Sequence, residues 1–369
     1  MGARGVHGGM TGKIPQAPAA GPLDGIRVLD FTTVISGPIC TQALGDLGAD
    51  VVKIEPPSGD PSRHSGAPFR EAGYSAFLAH FNRNKRSIVL DLKPESARAV
   101  ARRLAEQADV LVENFRPQVA DRLGIGWTEL RTINPGLVYC SIDGFGGDGP
   151  DADRPAYDHV IQAIIGLMPI QGDAVSPRLI QGGVADKSTG MTALSGILAA
   201  LFARERGDGS GQRVEVPMLD AYAAFALPEE MFSRAFPPLE SNAPGLNDVF
   251  RTFPTADGHV VGLTIQDAQF RGLCRAVERD DLAGDERFAD LVNRFIHYRE
   301  LCDLLAPEIA KLPTAEFIRR CREHSVPFAA VNDVDAFLAD PQTLHNQTVV
   351  EVGDPRFGTT RYLRHPVRY

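Results

Sequence analysis

IRVLDFTTVISGPICTQALGDLGADVVKIE, residues 26–55, sets two β-branched runs, IRVLDF and DVVKIE, on either side of a stretch through Gln42 and Leu47 that suits a helix. The alternation repeats outward from there. A helix is expected near Tyr74 to Phe81, a strand at SIVLDL (87–92), a helix opened by Pro94 and running to Gln107, and a strand at ADVLVEN (108–114). Helices around Val119 and Trp127 follow, then a buried-looking strand, LVYCSID (137–143). Strands alternating with helices predict an α/β fold with a parallel, doubly wound sheet.

Further on, GGVADKSTGMTALSGILAALFARERGDGSGQ (182–212) reads as one long helix ended by DGSGQ. Its apolar stripe is Met191, Leu194, Ile197, Leu198 and Leu201. The other faces carry Gly190, Ala193, Gly196, Ala199, Ala200 and Ala203, so neighbours can approach closely and whatever sits at the N-terminus is held rigidly. A composition shift at Pro237 to Asn247 suggests a linker, after which FRTFPTADGHVVGLTI (250–265) reads as a hairpin turning at Asp257-Gly258. Helices are expected from Gln266, Leu291, Thr314 and Val334, and short strands at TVVEV and TTRYL. The resulting division is a disordered tail over 1–21, a large lobe over 22–235, a linker and small lobe over 236–330, and a segment over 331–369 that returns to the large lobe.

The formal charge of −9 and pI near 5.5 argue against a general nucleic-acid or anionic-membrane surface, which needs clustered Lys and Arg. The five cysteines (Cys40, Cys140, Cys274, Cys302, Cys321) show neither C-x-x-C spacing nor a neighbouring His cluster, so no metal site is expected and a reducing, cytoplasmic setting is. Residues 1–21 lack the apolar run of a signal peptide or membrane span. Gly2 does not start a myristoylation motif, because Val6 stands where Ser or Thr is required.

Three places carry candidate chemistry. Gly144-Phe-Gly146-Gly-Asp-Gly149 satisfies G-x-G-x-x-G, but Pro150 and DADRPA follow where a phosphate-binding helix should open, so it reads as a loop. Asp186, at the predicted start of the long helix, has a plain reading as an N-cap. The same placement favours the ionised carboxylate, and Gly182 and Gly183 leave room for a ligand, so Asp186 is also a candidate nucleophile. Tyr157, Asp158 and His159 open an otherwise apolar helix, with Tyr157 and Asp158 on diverging faces. Lys53, Arg83, Lys85, Arg86, Lys93, Arg116 and Arg122 are the basic residues available to a phosphate-bearing ligand.

These residues together resemble the family III CoA-transferases, the group containing formyl-CoA transferase, carnitine CoA-transferase and the α-methylacyl-CoA racemases. The resemblance runs over residues 22–367 and rests on many ordered blocks, among them PLDGIRVLDFTTVISGPICTQALGDLGADVVKIEPPSGDPSR, FNRNKRSIVLDLK, ADVLVENFRP, AYDHVIQAIIGLM, GGVADKSTGMTALSGILAAL and VPFAAVNDVDAFLADPQ. It implies a Rossmann-like large lobe, a smaller α+β lobe, and ring-shaped subunits interlocked as a homodimer. It further implies that Asp186 is the catalytic aspartate and that Val34, Leu90, Lys93, Asn114, Phe115 and Arg122 contact coenzyme A, with Lys93 and Arg122 near its phosphates. CoA is then a substrate, and no cofactor is permanently bound.

The departures are informative. Thr33 and Ile35 stand where formyl-CoA transferase has His and Gln, which points away from formate and oxalate. Pro56 replaces a phosphate-contacting Arg, and the chain stops early at HPVRY. Racemases of the family use a His-Asp pair ahead of the apolar helix. Tyr157 occupies the His position here, and a phenol with a pKa of roughly 10 does not shuttle protons at neutrality. The expectation is therefore CoA transfer from an acyl-CoA to a carboxylic acid, by an aspartyl mixed anhydride and an aspartyl-CoA thioester, with Tyr157 ordering the acyl group or CoA. Racemisation of a 2-methylacyl-CoA and non-catalytic binding of CoA esters are the alternatives.

Overall fold

The computed structural model describes residues 21–237 and 249–369. The expected tail, except Gly21, and the linker beyond Pro237 lie outside the described residues.

The chain forms two compact units. The first takes residues 21–226 and 348–369, and the second residues 227–347. The helices at Val334–Ala339 and Pro341–Asn346 thus belong to the second unit, whereas the sequence placed them in the returning segment.

In the first unit the elements run β1 (Arg27–Asp30), α1 (Ser36–Asp46), β2 (Asp50–Glu55), β3 (Phe69–Glu71), β4 (Tyr74–Ser75), α2 (Ala76–Asn82), β5 (Lys85–Val89) and α3 (Glu95–Ala105). They continue with β6 (Val110–Glu113), α4 (Val119–Arg122), α5 (Trp127–Ile133), β7 (Val138–Asp143), α6 (Asp158–Ile164), α7 (Met168–Gln171), α8 (Val184–Arg206), β8 (Arg213–Pro217) and α9 (Met218–Ala226). The six-stranded sheet has the order β5-β2-β1-β6-β7-β8, and every pairing in it is parallel. This is the expected α/β sheet. Its central strand β6, VLVE, is buried at every position because helices cover both faces. Phe31, Ile54, Leu111, Ile125, Leu130 and Leu137 pack beneath it with Tyr139.

Two local expectations change. The helix expected from Tyr74 begins at Ala76, because Tyr74 and Ser75 pair with β3 and Ser75 accepts the Leu78 N–H as its cap at 2.9 Å. In α8 it is the small residues that are most buried: Ala185, Thr189, Gly190, Ala193 and Ala200, with Ile197 and Leu201 from the predicted stripe, while Met191 is exposed. The cause is close contact with α1. A Cβ on Gly190 would lie 2.3 Å from Ile39 Cγ2 and 2.5 Å from the Ser36 carbonyl oxygen, so only glycine fits there.

The second unit contains β9 (Thr252–Pro254), β10 (His259–Gly262), α10 (Asp267–Ala276), α11 (Asp280–Ala283), α12 (Leu291–Ile296), α13 (Tyr298–Ile309), α14 (Thr314–Glu323), β11 (Phe328–Ala330), α15 (Val334–Ala339) and α16 (Pro341–Asn346). β9 and β10 form the expected hairpin, and β11 joins β10 antiparallel. Its own core holds Phe253, Val260, Phe270, Phe288 and Phe317. The chain then re-enters the first unit as an antiparallel hairpin, β12 (Val349–Asp354) and β13 (Gly358–Leu363). Among the described residues no helix is long and apolar enough to cross a membrane.

Candidate active site

In a parallel sheet, ligands bind beyond the carboxyl ends of the strands, where the order of connection reverses. Here that point lies between β1 and β6, since β1 continues to β2 on one side and neighbours β6 on the other. The segments that leave these two strands build one wall of a cavity of about 270 Å³. Thr33, Val34 and Ser36 come from the first segment, and Asn114, Phe115 and Arg116 from the second. Arg154, Ala156 and Tyr157 border it from the loop before α6, Asp186 from α8 and Met218 from α9.

The β1–α1 turn is held in an unusual shape. Val34 has φ 71°, a left-handed conformation that costs a β-branched residue roughly 1–2 kcal/mol. The Asn114 amide braces it by accepting from the Thr33 N–H and donating to the Thr33 carbonyl, both at 2.9 Å. Beneath lies a buried charge cluster. Lys85 pairs with Asp30 at 2.9 Å and Lys53 with Asp60 at 2.9 Å, and Lys53 also donates to the Thr32 carbonyl at 2.6 Å. Burial alone would raise Asp30, but Lys53, Lys85 and the Thr32 hydroxyl outweigh it and hold the carboxyl below the usual carboxylate range. Lys53 and Lys85 are therefore structural ions, not the phosphate ligands that the sequence offered. Arg83 and Arg86 are likewise engaged, with Asp46 and Asp50.

Asp186 is 9 % exposed and sits in the first turn of α8, two residues inside it. The N-cap reading is corrected, because Gly183 occupies that position. The capping carboxylate comes from another helix: Asp158 Oδ2 accepts from the Ala185 N–H at 2.7 Å and from the Asp186 N–H at 3.1 Å. Asp158 is fixed in turn by Gln162, whose Nε2 donates to Asp158 Oδ1 at 2.6 Å. The expectation that the helix end keeps Asp186 ionised is corrected as well. Burial first, and the Asp158 charge second, push its carboxyl up to about 7 against a hydrogen bond from Ser36 and the Lys187 charge. The positive helix terminus is already taken by Asp158.

Val34, Asn114, Phe115, Tyr157 and Asp186 thus share one cavity. Tyr157 is 61 % exposed, while Asp158 turns inward to α8, so the two diverge; the helix phase is not the reason, because Tyr157 is the extended N-cap of α6 and lies outside the helix. Leu90, Lys93 and Arg122 do not line this cavity. Leu90 packs against the core under the sheet, and Lys93 and Arg122 are exposed. The cations that line it are Arg116 and Arg154, both exposed, and Arg154 lies over the Phe145 ring at 5.3 Å. The Gly144–Gly149 turn opens no helix before Asp158; the Gly146 N–H binds back to Asp143 Oδ1 at 2.5 Å. Sequence reasoning missed Ser36, Arg154 and Gln162. For Gln162 a signal existed, since it lies one helical turn after Asp158, where Gln and Asp side chains meet. Among the described residues no cluster of three or more His, Cys, Asp or Glu could hold a metal ion.

The sequence profile described as CoA-transferase family III matches residues 23–369. The chain belongs to that family. This family III CoA-transferase is 38% identical over 331 residues to the succinate–glutarate CoA-transferase of Agrobacterium fabrum, covering 87% of this chain and 82% of that one. It is 35% identical over 367 residues to the formyl-CoA:oxalate CoA-transferase of Streptomyces avermitilis, with coverages of 94% and 89%. Among solved structures, Rv3272 of Mycobacterium tuberculosis superposes with a TM-score of 0.84 at 32% identity over 95% of this chain and 93% of that one.

Proposed function

We propose that this CoA-transferase moves CoA from an acyl-CoA donor to a carboxylic acid with Asp186 as the nucleophile. The observation that carries the reading is the Asp186 carboxyl lining the cavity at the strand ends, bordered by Val34, Asn114, Phe115 and Tyr157. A group with its pKa near neutrality is present as carboxylate in useful amount and is more basic than an ordinary aspartate. One carboxylate oxygen of Asp186 attacks the thioester carbonyl, the C–S bond breaks, and CoA leaves as thiolate, giving a mixed anhydride. The thiolate then attacks the Asp186 carbonyl, the donor acid departs, and an aspartyl-CoA thioester remains. The acceptor carboxylate runs the same steps in reverse. Anhydride and thioester are both activated acyl species, so no ATP is consumed.

In this reading Arg116 meets a CoA phosphate, Val34, Asn114 and Phe115 flank the pantetheine arm, and Tyr157 orders the acyl group, as their shared lining of the cavity supports. Leu90, Lys93 and Arg122 would serve the nucleotide end of CoA outside this cavity. The first unit then carries both CoA binding and catalysis. Exposed apolar side chains on α8 and α9, Phe202 at 65 % and Phe225 at 66 %, support burial against a second copy in an interlocked, ring-shaped homodimer. Buried, unpaired cysteines fit a reducing cytoplasm. The name of the succinate–glutarate CoA-transferase of Agrobacterium fabrum favours short dicarboxylic acids as the first acceptors to try.

Incubation with succinyl-CoA and a panel of carboxylic acids, read by mass for new thioesters, tests the reading. Transfer in the parent, an acyl-enzyme trapped by hydroxylamine, and loss of both in Asp186→Asn are expected. Deuterium entering the α-carbon of a 2-methylacyl-CoA without any acceptor acid would mean racemisation instead.

A further inference from the structure

We infer that Asp158 and Gln162 form a positioning pair that sets the orientation and the ionisation of Asp186; this rests on the reading of Asp186 as nucleophile. Gln162 is 3 % exposed, and both ends of its amide are hydrogen-bonded. Its Nε2 donates to Asp158 Oδ1 at 2.6 Å and to the Ile180 carbonyl at 3.2 Å, while its Oε1 accepts from the Ile180 N–H at 3.0 Å. One amide therefore ties α6 to the strand of chain that leads into Gly182 and Gly183. A primary amide does this without adding charge, which neither Glu nor Lys can do.

Held in this way, Asp158 Oδ2 takes both of the N–H groups at the start of α8 that point toward it, from Ala185 and Asp186. Two effects follow. The backbone of Asp186 itself is pinned, so its side chain leaves the helix in a fixed direction toward Ser36 and the cavity. The partial positive charge of the helix terminus is neutralised by a carboxylate other than Asp186, and that carboxylate adds its own negative field. A Cβ built on Gly183 would lie 3.6 Å from Asp186 Oδ2 and 3.7 Å from Asp158 Oδ2, so the two carboxylates flank the same point. Among the described residues, the other charged and titratable groups around this pair are Lys187 on the helix of Asp186, Tyr222 of α9 facing Asp158, and Arg116, Asp143, Arg154 and Tyr157 around the cavity. Ser36 supplies a hydrogen bond from α1. Asp158 is the one that both neighbours the nucleophile and is locked in place by a buried amide.

The consequence is a nucleophile more basic than a helix-capping aspartate would be, produced by chain elements that need not touch substrate. The test is the pH profile of kcat/KM for CoA transfer, in Asp158→Asn and Gln162→Met. Asp158→Asn keeps an oxygen for the two N–H groups but loses the charge. The acid limb, which reports Asp186 in the free enzyme, should move down by about one pH unit or more, as removal of a like charge predicts. Gln162→Met should lower kcat by about tenfold with KM for the thioester nearly unchanged, and Gln162→Asn, too short to bridge, should not rescue it. An acid limb unmoved in Asp158→Asn, or a Gln162→Met defect confined to thermal stability, overturns the pair. A carbon-13 titration of the wild-type enzyme, with Asp186 assigned by its disappearance in Asp186→Asn, is independent of how either variant folds. A midpoint in the ordinary carboxylate range would refute the inference. If Asp186→Asn still transfers CoA, the nucleophile itself has been misassigned; an inert Asp186→Asn beside an unmoved limb condemns only the positioning pair.

Discussion

Asn114 grips Thr33 by both backbone groups, its Oδ1 on the N–H and its Nδ2 on the carbonyl, each at 2.9 Å. The next residue is Val34, forced to φ 71°. Sequence resemblance gave Asn114 a contact with CoA; the geometry gives it an internal task first, that of shaping the turn on which the thioester would lie. Asn114→Ala should cost about 1–3 kcal/mol of stability, by leaving part-buried backbone groups unpaired, and should raise KM for acyl-CoA more than it lowers kcat. Denaturant melts and steady-state kinetics on one preparation check both.

Val34→Gly separates strain from contact. Glycine adopts the left-handed turn freely, which favours the variant by about 1 kcal/mol, although its more flexible unfolded chain takes back part of that gain. A melting temperature equal to or above that of the parent is expected, together with a raised KM for the thioester. A clear drop in melting temperature would show that the valine side chain contributes more packing than the turn costs.

Asp186→Asn should stabilise the free protein, and the sign follows from the raised pKa. A carboxyl ordinarily at 3.8 that titrates at about 7 in the fold binds its proton more tightly when folded. Its unfavourable ionisation is absent below the unfolded value and fully felt above about 7. The variant should therefore gain about 1–3 kcal/mol at pH 8 and little at pH 4, while losing CoA transfer. Melting curves at the two pH values decide it; equal gains would mean that the ionisation is not the cause.

Lys85→Met should be among the most damaging single changes. The ammonium pairs with Asp30 and donates to the Pro38 carbonyl at 3.0 Å and to Asn82 Oδ1 at 2.9 Å, all within the core. Despite the Asp30 charge, burial lowers the Lys85 pKa to about 8. Removing it strands Asp30 with one fewer cation, at a cost of about 3–5 kcal/mol. Chemical denaturation measures this, and a loss below 1 kcal/mol would contradict the burial of the pair.

Gly190→Ala should destabilise by about 1–3 kcal/mol, since the added methyl meets Ile39 and the Ser36 carbonyl well inside contact distance. Because Ser36 also hydrogen-bonds Asp186, kcat should fall in parallel. An unchanged kcat with a lowered melting point would uncouple the helix contact from the carboxyl.

The sequence exposed those elements whose burial is symmetrical. β6 and β7 read as mainly apolar runs, VLV and VYC followed by a few polar residues, so they stood out. β8 did not: RVEVP forms the sheet edge, and its alternating charges resemble surface chain. Asp186 was legible from its place at a helix start, yet its ionisation was misjudged, because the group that caps the helix comes from Asp158, far back along the chain. Lys53 and Lys85 looked like ligands for phosphate since nothing local reveals that Asp30 and Asp60 wait for them in the core. Local propensity reports period and composition; it carries no record of which distant charge is folded against which.

The missing side chain at Gly190 divides the molecule into a part that is free to diverge and a part that is not. With α1 and α8 in contact there, the carboxyl one turn upstream has no room to migrate, whereas the cavity wall from Ala152 to Tyr157 carries no such constraint and would be one place where a change of acid could be accommodated. Such an architecture lends itself to new substrates by exchange of that short stretch, while the anchored oxygen keeps its position.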